Sequence, residues 1–326
     1  MTDARMLARA LASPQSVLAL DCAGWTALLA MAHAERLSAT LAGRVSGLDI
    51  PTRAAELLDS ARLHAQAARV RALWEVEMAR RALAPLDVPI VLLKGSAFLA
   101  AGLAAGQGRL VGDLDILVPR DRLGEVEAAI LDAGWEWLKV DAYDDHYYRT
   151  WMHELPPLIH RDRDSMIDVH HTILPLTARA KPDATAMIAD SVEIAPGLCI
   201  LCPEDMVIHA AAHLFADGDL SGGLRNLWDI QCLIEEYPLN GLSERAKLHG
   251  LAVETNRAIR LVEMLFGERD TRGVYALRLT ARDGWGRETR KLLRLAFYIR
   301  SHLIRMPPTM LVRHLFTKWR KARGRA

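Results

Sequence analysis

The sequence predicts an α+β fold: a small mixed sheet with flanking helices at residues 88–180, between an N-terminal helical region (1–87) and a C-terminal helical bundle (181–326). Three observations predict it. Residues 89–118 read as an apolar, β-branched run, a small-residue turn and a second apolar strand carrying Asp113 and Asp115. The regions on either side are rich in Ala, Leu, Arg and Glu, with apolar residues at helical spacing. With 326 residues, 51% of them hydrophobic, the chain can bury a sizeable core in one or two domains.

Taken in order, residues 25–81 predict two or more helices broken at 47–51, with Pro51 in the first turn of the longer one. The apolar stripe at 72–78 is expected to pack on the sheet and carries no chemistry. The core then predicts a strand at 89–94, a helix at 97–105, a strand at 114–118, a helix at 122–133 and a strand at 135–140. Asp121 is the expected N-cap of the second helix, and Gly134 the left-handed residue that ends it. After a polar stretch at 141–149, segments 155–160 and 165–174 form an antiparallel pair joined by Arg161-Asp162-Arg163-Asp164. Beyond 180 the pattern is helical: one helix from 202 carries His209 and His213, one from 224 carries Asp229, and others cover 255–266 and 287–304.

Alternate residues of a strand share a face, so Asp113 and Asp115 point the same way. Two adjacent carboxylates repel, and a divalent cation between them accounts for the pairing. Asp168, between apolar neighbours in Met166-Ile167-Asp168-Val169-His170, either meets a cation or an active site, or lies on the open face of an edge strand. Lys94, just before Gly95, either reaches a phosphate or ends its strand in solvent. The glycine-rich segment 102–112 lacks a Gly-Lys-Ser/Thr ending, which excludes a Walker-type loop and leaves a flexible loop over the site. His209 and His213 share a helix face; with Asp229 they form a buried polar cluster, a substrate contact or an incomplete zinc site. Cys199 and Cys202 form a lone pair with no second pair at metal-site spacing.

Gly95-Ser96 after an apolar strand, followed by Asp113-Leu114-Asp115 in another, resembles the signature of the DNA polymerase beta-like nucleotidyltransferase superfamily. More narrowly, Leu93-Lys94-Gly95, Arg109 and the run Asp113-Leu114-Asp115-Ile116-Leu117-Val118 resemble a bacterial family of uncharacterised nucleotidyltransferases, as does the segment 223–229. The resemblance covers mainly residues 70–235. It implies transfer of a nucleoside monophosphate from an NTP, with ATP the expected donor, to a hydroxyl acceptor, with Mg2+ or Mn2+ in a two-metal-ion site. Asp113, Asp115 and Asp168 are then the catalytic and metal-holding acids, with Asp168 ahead of Asp162, Asp164 and Glu154 as the third. Gly95, Ser96, Lys94 and Arg109 are the nucleotide-binding set, and Arg109 faces the leaving pyrophosphate. His209, His213 and Asp229 fall on the acceptor side, with the helices at 203–237 and 254–304 as the wall opposite the acids. The alternatives are a non-catalytic nucleotide-binding or scaffold protein on the same fold, and transfer to an RNA end.

A net charge of +1 disfavours a long polyanion and suits a small-molecule or protein acceptor. Four scattered cysteines fit a reducing cytoplasm, and no run is apolar enough to span a membrane. The acid-free segment 311–326, with Leu, Phe and Trp among its cations, is a candidate for weak contact with an anionic surface.

Overall fold

The computed structural model describes residues 3–138, 142–216, 220–267, 273–305, 309 and 311. Helices α1 (Arg5–Ala12), α2 (Cys22–Ala34), α3 (Ser38–Arg44) and the 32-residue α4 (Thr52–Leu83) come first. Pro51 stands at the N-cap of α4 with its fixed φ, one position before the expected first turn. The core follows as β1 (Ile90–Leu92), α5 (Lys94–Ala100), β2 (Asp113–Leu117), α6 (Leu123–Asp132), β3 (Trp135–Trp137), α7 (Ala142–Trp151), β4 (Leu158–His160) and β5 (Met166–His170). Then come α8 (Ala184–Ala189), β6 (Val192–Ala195) and β7 (Leu198–Ile200), and finally α9 (Pro203–Ala216), α10 (Gly223–Glu236), α11 (Leu242–Leu248), α12 (Ala252–Phe266), α13 (Val274–Leu279) and α14 (Lys291–Arg305).

The strands form one mixed sheet in the order β3-β4-β5-β2-β1-β7-β6. The β2–β5 and β1–β7 pairs are parallel and the others antiparallel. Sheet pairing therefore runs past residue 180: the stretch expected to be purely helical contributes a hairpin turned at Gly197 (φ 72°), and its second strand lies directly beside β1.

Helix α4 packs on α3, α5, α6 and β2, burying Leu58, Val76, Ala79 and Leu83. Trp74 does not join them. Two residues from Val76 is about 200° around a helix, so Trp74 turns outward and is 54% exposed. The charged turn between β4 and β5 is not solvated as a whole, because Arg163 donates from Nε to Glu75 Oε1 of α4 (2.9 Å) and from Nη2 to Oε2 (3.0 Å).

Several boundaries differ from expectation. Strand β1 stops at Leu92, and Lys94 opens α5 in the left-handed region (φ 50°). Asp121 lies in a 3-10 turn, Arg120–Arg122, and makes no cap bond to α6; Gly134 does take a left-handed φ of 101°. Within the polar stretch at 141–149, the described residues from Ala142 fold as α7, whose Tyr143 and Tyr147 rings stack four residues apart. In the C-terminal part, α9 packs against α10, α11 and α12, and Asp205 of α9 takes two bonds from Arg245 of α11. The tail segment 312–326 lies outside the described residues.

Candidate active site

The parallel register sets Asp115 of β2 directly opposite Asp168 of β5. Asp113 lies two residues back on the same face, and one carboxylate oxygen from each of Asp113, Asp115 and Asp168 falls within 4.8 Å of the others. Asp113 is exposed at the start of its strand, Asp115 is buried, and Asp168 is intermediate.

Asp115 is heavily partnered. Lys94 donates from Nζ to Asp115 Oδ1 at 2.7 Å, and His170, two residues beyond Asp168 on the same face, meets the same oxygen through Nε2 at 2.9 Å. Both use Oδ1, so Oδ2 takes neither. Burial alone would raise the proton affinity of Asp115, but the Lys94 ammonium and the His170 bond outweigh it and hold the group well below the ordinary carboxylate range. Asp168 goes the other way: burial, then the charges of Asp115 and Asp113, push it up to about 7. These residues fit a divalent cation, being three hard oxygen donors converging on one face, with an ammonium already drawn to one of them and a third acid that ionises reluctantly beside the other two.

Lys94 therefore points into the acid cluster, not into solvent. Behind it, a Cβ on Gly95 would fall 2.5 Å from Arg109 Nε and 2.7 Å from Val111 Cγ2, so the absence of a side chain lets Arg109 cross α5 at close range. The Arg109 guanidinium is paired with Asp229 of α10, whose other oxygen accepts from Arg225 Nε (3.0 Å) and Nη2 (2.7 Å). Arg225 also donates to Thr40 Oγ1 and to the carbonyl of Ala105, both at 2.7 Å. Asp229 is thus the buried counter-ion of two arginines. The glycine-rich loop expected to move freely is tied down at Ala104 by Glu236, at Ala105 by Arg225 and at Gln107 by Thr40.

A cavity of about 680 Å³ opens in front of the acids. Asp113, Asp115, Asp168, Lys94, Gly95 and Arg109 line it, as do His209 and His213 of α9. Asp229 is not part of its wall. Ser96 is buried and faces a neighbouring cavity of about 430 Å³, shared with His64 and Arg71 of α4 and reaching Asp113. Burial, reinforced by the charges of Lys94, His213 and His170, lowers the His209 pKa well below the ordinary histidine value, so its ring is neutral. The cavity also brings in residues that sequence reasoning missed: Arg36 in the left-handed region (φ 56°), Arg282, His153 and His170. His170 had a usable signal, its spacing of two from Asp168. Arg36, in the turn between α2 and α3, and Arg282, in a β-bridge to Glu288 beyond α13, are distant in sequence and had none.

Paired acids on one strand, a third in register on the parallel neighbour and Lys94-Gly95 at the start of the helix beside them fit the core of a nucleotidyltransferase. Residues 21–267 match the family described as uncharacterised nucleotidyltransferase, and the chain belongs to that family. No curated protein matches the chain. Among the described residues, no helix is long and apolar enough to cross a membrane.

Proposed function

We propose that this protein transfers a nucleoside monophosphate from an NTP, ATP by preference, to the hydroxyl of a small molecule or a protein and releases pyrophosphate. The observation that carries the reading is the convergence of Asp113, Asp115 and Asp168 on one sheet face, in a cavity that Lys94 and Arg36 also line. When bound, Mg2+ or Mn2+ would be held by these carboxylates and would supply charge stabilisation to the attacking and leaving oxygens.

The side chains do the rest. The acceptor oxygen bonds to the α-phosphorus, the bond to the bridging oxygen of pyrophosphate breaks, and the hydroxyl proton passes to the Asp168 carboxylate. Burial and the neighbouring charges of Asp115 and Asp113 raise the proton affinity of Asp168 in the metal-free protein, the direction a proton acceptor needs. Lys94 and Arg36 bring cationic groups to the cavity for the triphosphate, whereas Arg282, which also lines it, is paired with the buried Glu35 at 2.8 Å. Arg109, neutralised by Asp229, acts as a wall that fixes the shape of the Gly95 turn. The neutral His209 and its neighbour His213 also line the cavity and suit an acceptor held there.

A thermal-shift screen of NTPs with Mg2+ or Mn2+ tests this. The wild type should be stabilised only when nucleotide and metal are both present, and Asp113→Ala should lose the response. Equal shifts in both proteins would overturn the metal-binding assignment, and nucleotide binding without pyrophosphate release under any acceptor would favour the scaffold alternative.

A further inference from the structure

A second group of metal-ligating side chains lies next to the acids, composed of His153, Glu154 and His170. The chain brings them together by extending the β4–β5 hairpin. Glu154 bridges to His170 in antiparallel register, the Leu155 amide donates to the Val169 carbonyl, and the His171 amide donates to the His153 carbonyl, both at 2.9 Å. This register puts Glu154 across from His170, with the His153 ring centroid 5.1 Å from that of His170.

The two nitrogens of His170 face different partners. Its Nε2 lies 2.9 Å from Asp115 Oδ1, where the anionic acid requires a donor. A neutral imidazole has one N–H, so Nδ1 then carries a lone pair. Nδ1 is buried, has no hydrogen-bond partner, and points at Glu154 Oε2 from 3.4 Å. Two acceptors face each other there, and His153 Nε2 approaches the same oxygen at 3.6 Å. A tetrahedral ion with bonds of about 2.0–2.2 Å has ligand–ligand edges of about 3.3–3.6 Å, and both measured separations fall at that spacing. The Asp115–His170 bond is also what a metal-ligating histidine needs, since a carboxylate on the far nitrogen fixes the tautomer and makes the near one more basic.

We propose that His153 Nε2, Glu154 Oε2 and His170 Nδ1 form a site for a divalent transition metal of the zinc class. Two imidazoles and one carboxylate, with the fourth position toward the cavity, select zinc-like ions, whereas the three oxygens of Asp113, Asp115 and Asp168 suit Mg2+ or Mn2+. The ion sits on the opposite side of the His170 ring from the acids, so it positions His170, and through it Asp115, and does not replace a catalytic ion. The assignment stands whether or not the protein transfers nucleotides.

Co2+ titration of the full-length, metal-stripped protein tests it, because four-coordinate Co2+ absorbs visible light far more strongly than oxygen-bound six-coordinate Co2+. The wild type should develop strong bands at one equivalent, bleached by Zn2+ and unaffected by millimolar Mg2+. Asp113→Ala should keep the bands, while Glu154→Gln and His153→Ala should lose them with circular dichroism unchanged. Weak six-coordinate bands alone, or strong bands that Mg2+ bleaches, would overturn the site without reference to any variant and would leave a proton bridging His170 and Glu154. Bands that survive in Glu154→Gln and vanish in Asp113→Ala would overturn it equally.

Discussion

Asp113 and Asp115 share a strand face, yet their replacement should have different consequences for the fold. Asp113 is exposed, so Asp113→Ala should abolish metal-dependent nucleotide binding while changing stability by no more than about 0.5 kcal/mol. Asp115 is the buried partner of Lys94 and His170, and Asp115→Ala strands both; it should lower stability by roughly 3 kcal/mol in urea unfolding. Equal stability of the two variants would contradict the buried pairing. Asp168 adds a pH dependence. Its folded pKa, about 7, lies above the unfolded model value of 3.8, so between those pH values the folded protein keeps a proton that the unfolded chain releases. The contribution of this group to stability is therefore full below about pH 4 and falls as pH rises toward 7. Asp168→Asn should flatten that decline in the metal-free protein. In the wild type, Mg2+ affinity should rise with pH up to about 7, with a proton released on binding. An Mg2+ affinity that is flat across this window would refute the assignment.

At the scale of elements, the important ties join α10 to the loop before β2. Asp229 balances two arginines, one reaching into the Gly95 turn and one pinning the loop, so its loss leaves Arg225 buried without its counter-ion. Asp229→Ala should cost roughly 3–5 kcal/mol. Asp229→Asn keeps the shape and removes the charge, and should fold but bind nucleotide more weakly, because Arg109 and the Gly95 turn lose their fixed position; calorimetric titration against wild type measures this. Retention of full affinity would mean the Arg109 wall is not needed. The helices carrying these residues were legible from 3.6-residue spacing, and β2 and β5 from apolar runs around an acid. Strands β6 and β7 were not recognised, although Val192/Ile194 and Leu198/Ile200 alternate around Pro196-Gly197, a hairpin signal too short to stand out beside a helical region. Their pairing is settled by β1, more than 100 residues earlier, which no local pattern encodes. The pairing of Arg109 with Asp229 was unreadable for the same reason: the sequence offered a cation near a turn, and only the fold supplied its anion.

For the whole molecule, charge distribution bears on the acceptor. The net charge is +1, but residues 289–326 contain eleven Lys and Arg and no acid, so the first 288 residues are net negative. The cavity meets this in miniature: Asp113, Asp115 and Asp168 line it together with Lys94 and Arg36, a set suited to a triphosphate without a long basic groove. A polynucleotide would need cations along its whole length, and each phosphate it pairs would release counterions on binding. A small hydroxyl acceptor brings little charge and is held instead by shape, between β2 and α9, where correct placement of reactants can lower a barrier by roughly 7–11 kcal/mol. Acceptor affinity measured from 50 to 200 mM salt should therefore change little, giving a log–log slope near zero to −1, whereas single-stranded RNA gripped at several phosphates would give about −0.7 per contact. A slope of about −3 or steeper, persisting when residues 312–326 are removed, would move the assignment to transfer onto an RNA end.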